Sequence, residues 1–269
     1  MGYISKALGA ASFPAPGGGE RTIPVNVALF VTCLVDLMRP RIAFSAIALL
    51  EHAGCRVTVP SAQTCCGQPA FNSGDRVAAA ALARKTIAEF EGFDYVVAPS
   101  GSCADQIRTE YPALLADDPA WATRATVLAG RTYELTDFLA GVVRLDTLPA
   151  RPAAGEAGSI AYHDSCTGLR SLGIKEQPRR LLALLKDATT VDLAGCEECC
   201  GFGGTFAVKY GDVSAAIAER KCDNILASGA GIVAGGDLGC LLNIEGKLHR
   251  MGNTSIAVRH VAELLAPED

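Results

Sequence analysis

The chain has 269 residues and a formal net charge of −5, with 49% hydrophobic and 20% charged residues. This length suits one large domain or two smaller ones, and the apolar fraction is high enough for well-buried cores. The chain has no basic run interleaved with aromatic residues. We therefore expect no nucleic acid partner.

The first part of the chain predicts neither a secretion signal nor a membrane span. Residues 1–24 lack the apolar segment of a signal peptide and predict a flexible tail. The apolar run VALFVTCLVDLM stops at Arg39-Pro40, which is too short to cross a bilayer. We therefore expect a cytoplasmic protein with no membrane partner, in a compartment where disulfides are disfavoured.

Apolar strands then alternate with amphipathic helices. The predicted elements are a strand over residues 27–32, a helix over 41–54, a strand over 55–60, a helix beginning near Asp75 and a strand over 94–99. Cysteines follow the three strands, namely Cys33, the adjacent pair Cys65 and Cys66, and Cys103. This alternation is typical of a parallel sheet with helices on its faces.

The same order returns after a stretch rich in proline, glycine and alanine, residues 148–159. The predicted elements are a strand over residues 160–162, a helix over 178–188, a strand over 189–194, a helix beginning near Gly211 and a strand over 230–236. The cysteines that follow these strands are Cys166, the pair Cys199 and Cys200, and Cys240. Matching cysteines are 133, 134, 134 and 137 residues apart, so eight of the eleven cysteines obey one internal repeat.

The repeat predicts the fold class and the domain organisation. We expect an α/β protein of two pseudo-symmetric Rossmann-like halves, each a parallel sheet with helices on its faces. The expected division is a flexible N-terminal tail over residues 1–24, a first repeat over 25–150 and a second repeat over 151–269. Every repeated cysteine follows the carboxyl end of a strand, and in open parallel sheets that edge is the ligand crevice. The four thiols of each repeat are therefore expected to converge.

Four converging thiols in each repeat predict a metal centre. The candidate ligands are Cys33, Cys65, Cys66, Cys103, Cys166, Cys199, Cys200 and Cys240. Iron–sulfur clusters are commonly held by four thiolates, whereas structural zinc usually takes ligand pairs two to four residues apart. The spacing therefore favours iron–sulfur clusters, one or two per chain, over zinc. Buried thiols that pack as small apolar side chains are the alternative without a metal.

Three cysteines fall outside the repeat. Cys55 and Cys222 are interpreted as buried apolar side chains. Cys196 forms C-E-E-C with Cys199, which superficially resembles a thioredoxin-type redox pair. Its counterpart in the first repeat is Ala62, so we interpret Cys196 as a non-ligand, and a redox or ligand role stays open.

The stretches FVTCLVD, GCRV, CCGQPAFNSG, PSGSC, AYHDSC, CCGFGGTF and CLLNI resemble the cysteine-rich CCG domain family over about residues 25–266. That family includes the cysteine-rich subunit of heterodisulfide reductase and the glycolate oxidase iron–sulfur subunit, and the resemblance is strongest to the lactate-utilisation protein A family. It implies an iron–sulfur electron-transfer subunit of a cytosolic oxidoreductase complex that oxidises L-lactate to pyruvate. The implied partners are a ferredoxin-like iron–sulfur subunit and a third subunit, with a small 2-hydroxy acid as a possible substrate. The alternative is a zinc- or thiol-based scaffold or regulator without electron transfer.

One departure from the family pattern affects the expected cluster. The fuller pattern ends each repeat in C-x-x-C, but this chain has Ser100 and Asp237 at the first of those cysteines. With four cysteines per repeat, an ordinary [4Fe–4S] cluster is a simpler prediction than the non-cubane clusters of the five-cysteine relative. We interpret Asp237 as a loop-capping residue, with an oxygen ligand as the alternative.

His163 and a glycine-rich run remain to be interpreted. His163 has Phe30 as its counterpart in the first repeat. Two roles stay open for it, a loop histidine that forms hydrogen bonds near the cluster, and a proton donor or substrate contact. The run over residues 228–239 lacks the G-x-G-x-x-G spacing of a dinucleotide site, so no flavin or nicotinamide site is predicted.

Overall fold

The computed structural model describes residues 24–150 and 158–267. The predicted flexible tail over residues 1–24 lies outside the described residues, apart from Pro24. Residues 151–157, part of the predicted connection between the repeats, also lie outside them.

Residues 24–150 form the first half. Its strands are β1 (Asn26–Leu29), β2 (Arg56–Thr58), β3 (Tyr95–Ala98) and β4 (Thr132–Glu134). Its α-helices are α1 (Cys33–Met38), α2 (Arg41–His52), α3 (Gln68–Asn72), α4 (Arg76–Phe90), α5 (Gly101–Asp105), α6 (Tyr111–Leu114), α7 (Ala122–Gly130) and α8 (Leu135–Asp137). Two π-helical segments, Gln106–Glu110 and Phe138–Val142, continue directly from α5 and α8.

Residues 158–267 form the second half in a similar order. Its strands are β5 (Gly158–His163), β6 (Ala188–Val191), β7 (Ile232–Gly235) and β8 (Ala257–His260). Its helices are α9 (Cys166–Arg170), α10 (Glu176–Leu182), α11 (Thr205–Lys209), α12 (Gly211–Ser228), α13 (Leu238–Arg250) and α14 (Val261–Leu265).

The strands of the described residues form two four-stranded sheets. The strand orders are β2-β1-β3-β4 and β6-β5-β7-β8, and every pair is parallel. The same order therefore occurs twice, with Ala28 opposite Val96 in the first sheet and Ala161 opposite Val233 in the second. The predicted α/β class with two pseudo-symmetric halves and parallel sheets is confirmed.

The structure adds a fourth strand to each sheet, which the sequence patterns did not predict. Strand β4 is only three residues long and β8 is four, and their side chains alternate in burial. Neither stretch is a continuous apolar run like the central strands β1, β3 and β7, because each lies at the edge of its sheet. Glu134 and His260, at the ends of these strands, cap the following helices α8 and α14.

Two predicted boundaries were too long. Strand β1 ends at Leu29 instead of residue 32, because the Thr32 hydroxyl accepts a hydrogen bond from the Val35 amide at 3.3 Å and caps α1. Helix α10 ends at Leu182 instead of residue 188, because Ala188 already belongs to β6.

Among the described residues, the larger hydrophobic cluster contains side chains of both halves. It includes Ile42 and Leu49 of α2, Phe138 from the π-helical segment after α8, Leu181 of α10 and Val261 of α14. A second apolar cluster, around Phe30 and Phe90, belongs to the first half. The two sheets are therefore held in a fixed relation by a shared apolar interior. No helix within the described ranges is long and apolar enough to cross a membrane.

Candidate functional site

The four repeated cysteines of the first half come together at the carboxyl edge of the first sheet. Cys33 is the first residue of α1, Cys103 lies in α5, and the Cys65–Cys66 pair precedes α3. The Cys33 and Cys65 sulfurs are 4.0 Å apart, and the Cys66 and Cys103 sulfurs are 3.5 Å apart. We call these four residues the first quartet.

The second half repeats the arrangement. Cys166 is the first residue of α9, Cys240 lies in α13, and the Cys199–Cys200 pair precedes α11. Cys166 is in hydrogen-bonding contact with Cys199, and Cys200 is in contact with both Cys199 and Cys240. We call Cys166, Cys199, Cys200 and Cys240 the second quartet.

Burial follows the same pattern in both quartets. Cys33 and Cys65 are partly exposed, whereas Cys66 and Cys103 are buried. The corresponding residues of the second quartet divide in the same way, with the last two cysteines buried and the first two partly exposed. Each quartet therefore has a buried side and a side that solvent or a partner protein can reach.

A glycine turn follows each cysteine pair. Gly67 has φ +88° and Gly201 has φ +86°, in the left-handed region that favours glycine. This turn points each glycine amide back at the first sulfur of the pair, so that Gly67 donates to Cys65 Sγ at 3.4 Å and Gly201 donates to Cys199 Sγ at 3.3 Å. An amide that donates to a thiolate stabilises its charge.

Each pair is also anchored by a side chain that the sequence analysis missed. The Tyr111 hydroxyl donates to the Cys66 carbonyl at 2.7 Å, and the Asn243 amide donates to the Cys200 carbonyl at 2.8 Å. The two donors have the same task but differ in residue type and lie at unmatched positions of the repeat. No repeat signal could therefore have identified them.

The thiols of each quartet differ in their readiness to ionise. Hydrogen bonding from Cys33 lowers the pKa of Cys65 well below its ordinary value, and hydrogen bonding from Cys166 does the same for Cys199. The same bonds raise the pKa of the donating thiols, Cys33 and Cys166. One thiolate in each quartet is therefore favoured at neutral pH, and a metal that binds all four sulfurs must displace the remaining protons.

His163 lies next to the second quartet, and only its predicted position in a loop is wrong. It ends strand β5 instead of lying in a loop, it is 1% exposed, and neither ring nitrogen has a hydrogen-bond partner among the described residues. One ring nitrogen and the sulfurs of Cys200 and Cys240 all lie within 4.8 Å of one another. Burial first, and then the charge of Lys221, lower the pKa of His163 to about 3, so the ring is neutral.

A buried lysine is the second functional feature that the sequence analysis missed. The Lys221 ammonium donates to the carbonyls of Gly195 and Cys196, beside the second quartet, and its side chain is fully buried. Lys85 contacts the carbonyl of Ala62, the counterpart of Cys196, but Lys85 is exposed. In the sequence, the only sign of these matching contacts is that each of the two equivalent helices contains a lysine.

The three cysteines outside the repeat have environments unlike those of the quartets. Cys55 and Cys222 are buried within the hydrophobic core, and burial raises the pKa of each to about 11. The Cys196 thiol is partly buried, and burial followed by the nearby Asp164 carboxylate raises its pKa. This environment opposes the reactive thiolate that a thioredoxin-type pair would require.

Ser100 and Asp237, which replace cysteines of the fuller family pattern, contact each other across the two halves. The Ser100 hydroxyl donates to Asp237 at 2.9 Å, and the Ser102 amide donates to the same carboxylate oxygen at 3.1 Å. The other carboxylate oxygen accepts from the Gly239 amide at 3.2 Å and caps α13. Asp237 is thus a capping residue, as expected, and it also joins the two halves.

Comparison with known proteins agrees with the repeat. The family model described as CCG, cysteine-rich domain, matches residues 27–108 and 160–245, once in each half. A protein named lactate utilization protein A from an Exiguobacterium species is 47% identical over 242 residues, which are 89% of this chain and 96% of that protein. A protein of the same name from Geobacillus kaustophilus is 44% identical over 241 residues, which are 90% of this chain and 98% of that protein.

A solved structure shares the fold at low identity. The crystal structure of a hypothetical protein from Helicobacter pylori aligns with 96% of this chain at a TM-score of 0.58 and 12% identity. The chain spans about half of that structure, 51% of its length. The family match over both halves and the high identity to full-length relatives are decisive for classification. The chain belongs to the cysteine-rich CCG domain family, together with the lactate utilization protein A sequences.

Proposed function

We propose that the chain is an iron–sulfur electron-transfer subunit of an oxidoreductase complex that oxidises L-lactate to pyruvate. The observation that carries the proposal is the pair of thiol quartets at equivalent positions of two pseudo-symmetric halves. The ligands within a quartet come from three separate segments of the chain, which is typical of a cluster site and not of a short zinc knuckle. Lactate enters the proposal through the names of the close relatives.

The chain's residues fit this role chemically. The eight cysteines of the two quartets would hold the clusters, which we take to be [4Fe–4S], one in each half. A bound cluster would accept and release one electron at a time. The glycine amides and the two carbonyl anchors hold the cysteine pairs in place, and the partly exposed sulfurs leave each site accessible from one side.

The rest of the complex follows from the same reasoning. Oxidation of lactate removes two electrons, so either a partner carries a two-electron cofactor or the two sites act together. We propose a ferredoxin-like iron–sulfur subunit and a third subunit as partners, in the cytosol, where the thiols stay reduced. Residues 25–150 and 151–269 would each supply one cluster-binding half, and a 2-hydroxy acid would bind to this chain or to a partner.

Zinc is a second candidate that one observation favours. A single tetrahedral zinc ion with Zn–S bonds of about 2.3 Å places its sulfurs about 3.8 Å apart. The sulfur separations of 4.0 and 3.5 Å in the first quartet are close to that value. A four-iron cluster puts each thiolate on its own iron, so the sulfurs must move apart to receive it.

Metal analysis of anaerobically reconstituted protein separates the two candidates. We expect about four iron atoms per quartet, and therefore about eight per wild-type chain. Cys65→Ser should remove the iron of the first site and Cys199→Ser that of the second, each leaving about half. Cys196→Ser is the matched control, because it lies three residues from Cys199 outside the quartet and should keep the full iron content.

The possible outcomes have distinct meanings. A colourless protein with one zinc per quartet and no reducible absorbance would refute the proposal and support the scaffold alternative. Iron that is lost only with Cys199→Ser would mean that a single half is occupied. For electron transfer itself, the brown colour should bleach when L-lactate and the two companion subunits are supplied together, and a cluster that stays oxidised under those conditions would contradict the assigned role.

A further inference from the structure

The two quartets are equivalent in their thiols but differ in the residue beside them. In the second half His163 lies at the end of β5, with a ring nitrogen within 4.8 Å of the sulfurs of Cys200 and Cys240. In the first half the counterpart is Phe30, which is fully buried and packs against Phe90 with 5.4 Å between the ring centroids. A nitrogen donor thus faces one quartet, and a hydrocarbon ring occupies the corresponding place in the other half.

The His163 ring makes no hydrogen bond of normal length and angle, although the Cys196 carbonyl lies near it. It is 1% exposed, and both ring nitrogens lack a hydrogen-bond partner within residues 24–150 and 158–267. Leaving a buried polar group unpaired is costly, so such a group in a native protein calls for a partner. The ring is close to the sulfurs of Cys200 and Cys240 and to the Cys196 carbonyl, and of these partners the two sulfurs belong to the second quartet.

A second, independent difference between the halves would also stabilise negative charge at the second quartet. Lys221 is fully buried beside the second quartet, whereas Lys85, which makes the matching backbone contact in the first half, is exposed. Solvent screens the charge of an exposed lysine much more than that of a buried one. Lys221 therefore contributes a stronger positive potential at the second site than Lys85 does at the first.

We propose that His163 donates a ring N–H hydrogen bond to a sulfur at the second site and, together with the buried Lys221, makes the second cluster easier to reduce than the first. Reduction adds one electron, and the extra negative charge is stabilised by N–H donors to sulfur and by nearby positive charge. The first site, with Phe30 and a solvated lysine, lacks both. This inference rests on the proposed function, because it requires a cluster in each half.

One electron added to the two-cluster chain then resides mainly at the second site. Dithionite supplies that electron in a titration, in which the reductant is oxidised and the second cluster is reduced before the first. The two halves are consequently unequal in electronic function although they match in ligands.

The test is a potentiometric titration followed by electron paramagnetic resonance on reconstituted protein. Wild type should titrate in two separate steps, and the Cys65→Ser variant, which keeps the second site alone, should show only the step at higher potential. His163→Phe in this background should lower the ratio of reduced to oxidised second cluster at a fixed potential. A tenfold fall in that ratio corresponds to about 59 mV for one electron.

Matched variants distinguish the hydrogen bond from general disruption. His163→Gln keeps an N–H donor and should retain part of the difference, and Lys221→Met should lower the ratio without touching the ring. Phe30→His should raise the ratio at the first site in the Cys199→Ser background. If His163→Phe keeps about four iron at the second site and its potential does not fall, the inference is wrong, while the proposed iron–sulfur function stands.

An isotope-labelling experiment on the wild-type protein tests the hydrogen bond even if the His163→Phe variant fails to bind iron. Wild type grown with ¹⁵N-histidine should show a weak nitrogen coupling to the reduced second cluster in pulsed electron resonance, as expected for a hydrogen-bonded ring. No coupling, or the strong coupling of a nitrogen bound directly to iron, would overturn the hydrogen-bond assignment. Absence of any iron cluster in wild type would instead refute the proposed function.

Discussion

Substitution of Gly201 by alanine tests how the second cysteine pair is positioned. Gly201 has φ +86°, its amide donates to Cys199 Sγ, and its carbonyl accepts from the Ser214 hydroxyl at 2.8 Å. A Cβ atom at this position would lie 2.5 Å from the Ser214 carbonyl oxygen and 3.2 Å from the Ala218 amide nitrogen. Both contacts are with the backbone of α12, which cannot move aside as a flexible side chain would.

The expected cost has two parts. A left-handed conformation costs a residue with a Cβ about 1–2 kcal/mol. Forcing extra atoms into a packed site costs about 1–3 kcal/mol more. Gly201→Ala should therefore lower the free energy of unfolding by about 2–5 kcal/mol, and in the folded protein it should displace the amide that stabilises the Cys199 thiolate.

Two other glycines provide the controls. Gly229 has φ +69°, and no atom of the described residues lies within 4 Å of the Cβ that alanine would add, so Gly229→Ala carries only the conformational cost. Gly67→Ala, at φ +88°, meets the Leu82 side chain at 3.3 Å and should be intermediate. The effect of alanine on the unfolded chain is common to all three variants and cancels in the comparison.

Urea unfolding under reducing, anaerobic conditions measures the stabilities, and iron analysis after reconstitution measures the sites. Gly201→Ala should lose iron from the second site alone, and Gly67→Ala should lose less, from the first. If Gly201→Ala is no less stable than Gly229→Ala, the expected clash with the α12 backbone is absent. The explanation that only glycine fits this turn would then be wrong.

Two further predictions concern the contacts around the junction of the halves. Burial raises the pKa of Glu134 from 4.5 to about 7, so the folded state favours the protonated carboxyl. The free energy of unfolding should therefore be highest below pH 4.5 and should fall by about 3 kcal/mol as the pH rises to 7, at about 1.36 kcal/mol per pKa unit. Glu134→Gln should remove this slope in urea unfolding at pH 5 and pH 8, and parallel slopes in the two proteins would contradict it. Asp237→Ala should cost about 1.5–3 kcal/mol, because it leaves the Ser100 hydroxyl and the Ser102 amide without their charged acceptor. Asp237→Asn should cost less in thermal unfolding, and equal losses would argue against a role for the charge.

The thiol quartets were predictable because the internal repeat shows the same cysteine pattern twice. Strands β1 and β5 were visible as apolar runs, and the equal offsets between cysteines showed which thiols belong together. The parallel order of the strands then placed the thiols at one sheet edge. Fold class and convergence of the quartets thus followed from patterns that extend over many residues.

Features that depend on single contacts could not be predicted in the same way. Strand β4 is three residues long and lies at a sheet edge, where pairing and not periodicity decides the structure. Tyr111 and Asn243 each donate a hydrogen bond to the carbonyl of the second cysteine of a pair, but they lie at unmatched positions of the repeat. The repeat therefore gives no sign of them. The contact between Ser100 and Asp237 depends on how the halves pack, which no local pattern encodes.

Duplication also explains where the two halves are expected to differ in function. Under the proposed function, the thiols of the two quartets match because each set would hold the same kind of cluster. The residues beside the thiols differ between the halves, with Phe30 opposite His163 in the repeat, and under the proposed function they are not ligands. Their effect is on the charge and hydrogen bonding that a bound cluster experiences, which are the properties that set its potential. A protein built from two repeats can therefore keep the same ligands in both sites and still give the two clusters different reduction potentials. In this chain, the positions that would set that difference are those where the repeats have different residues next to a shared cysteine.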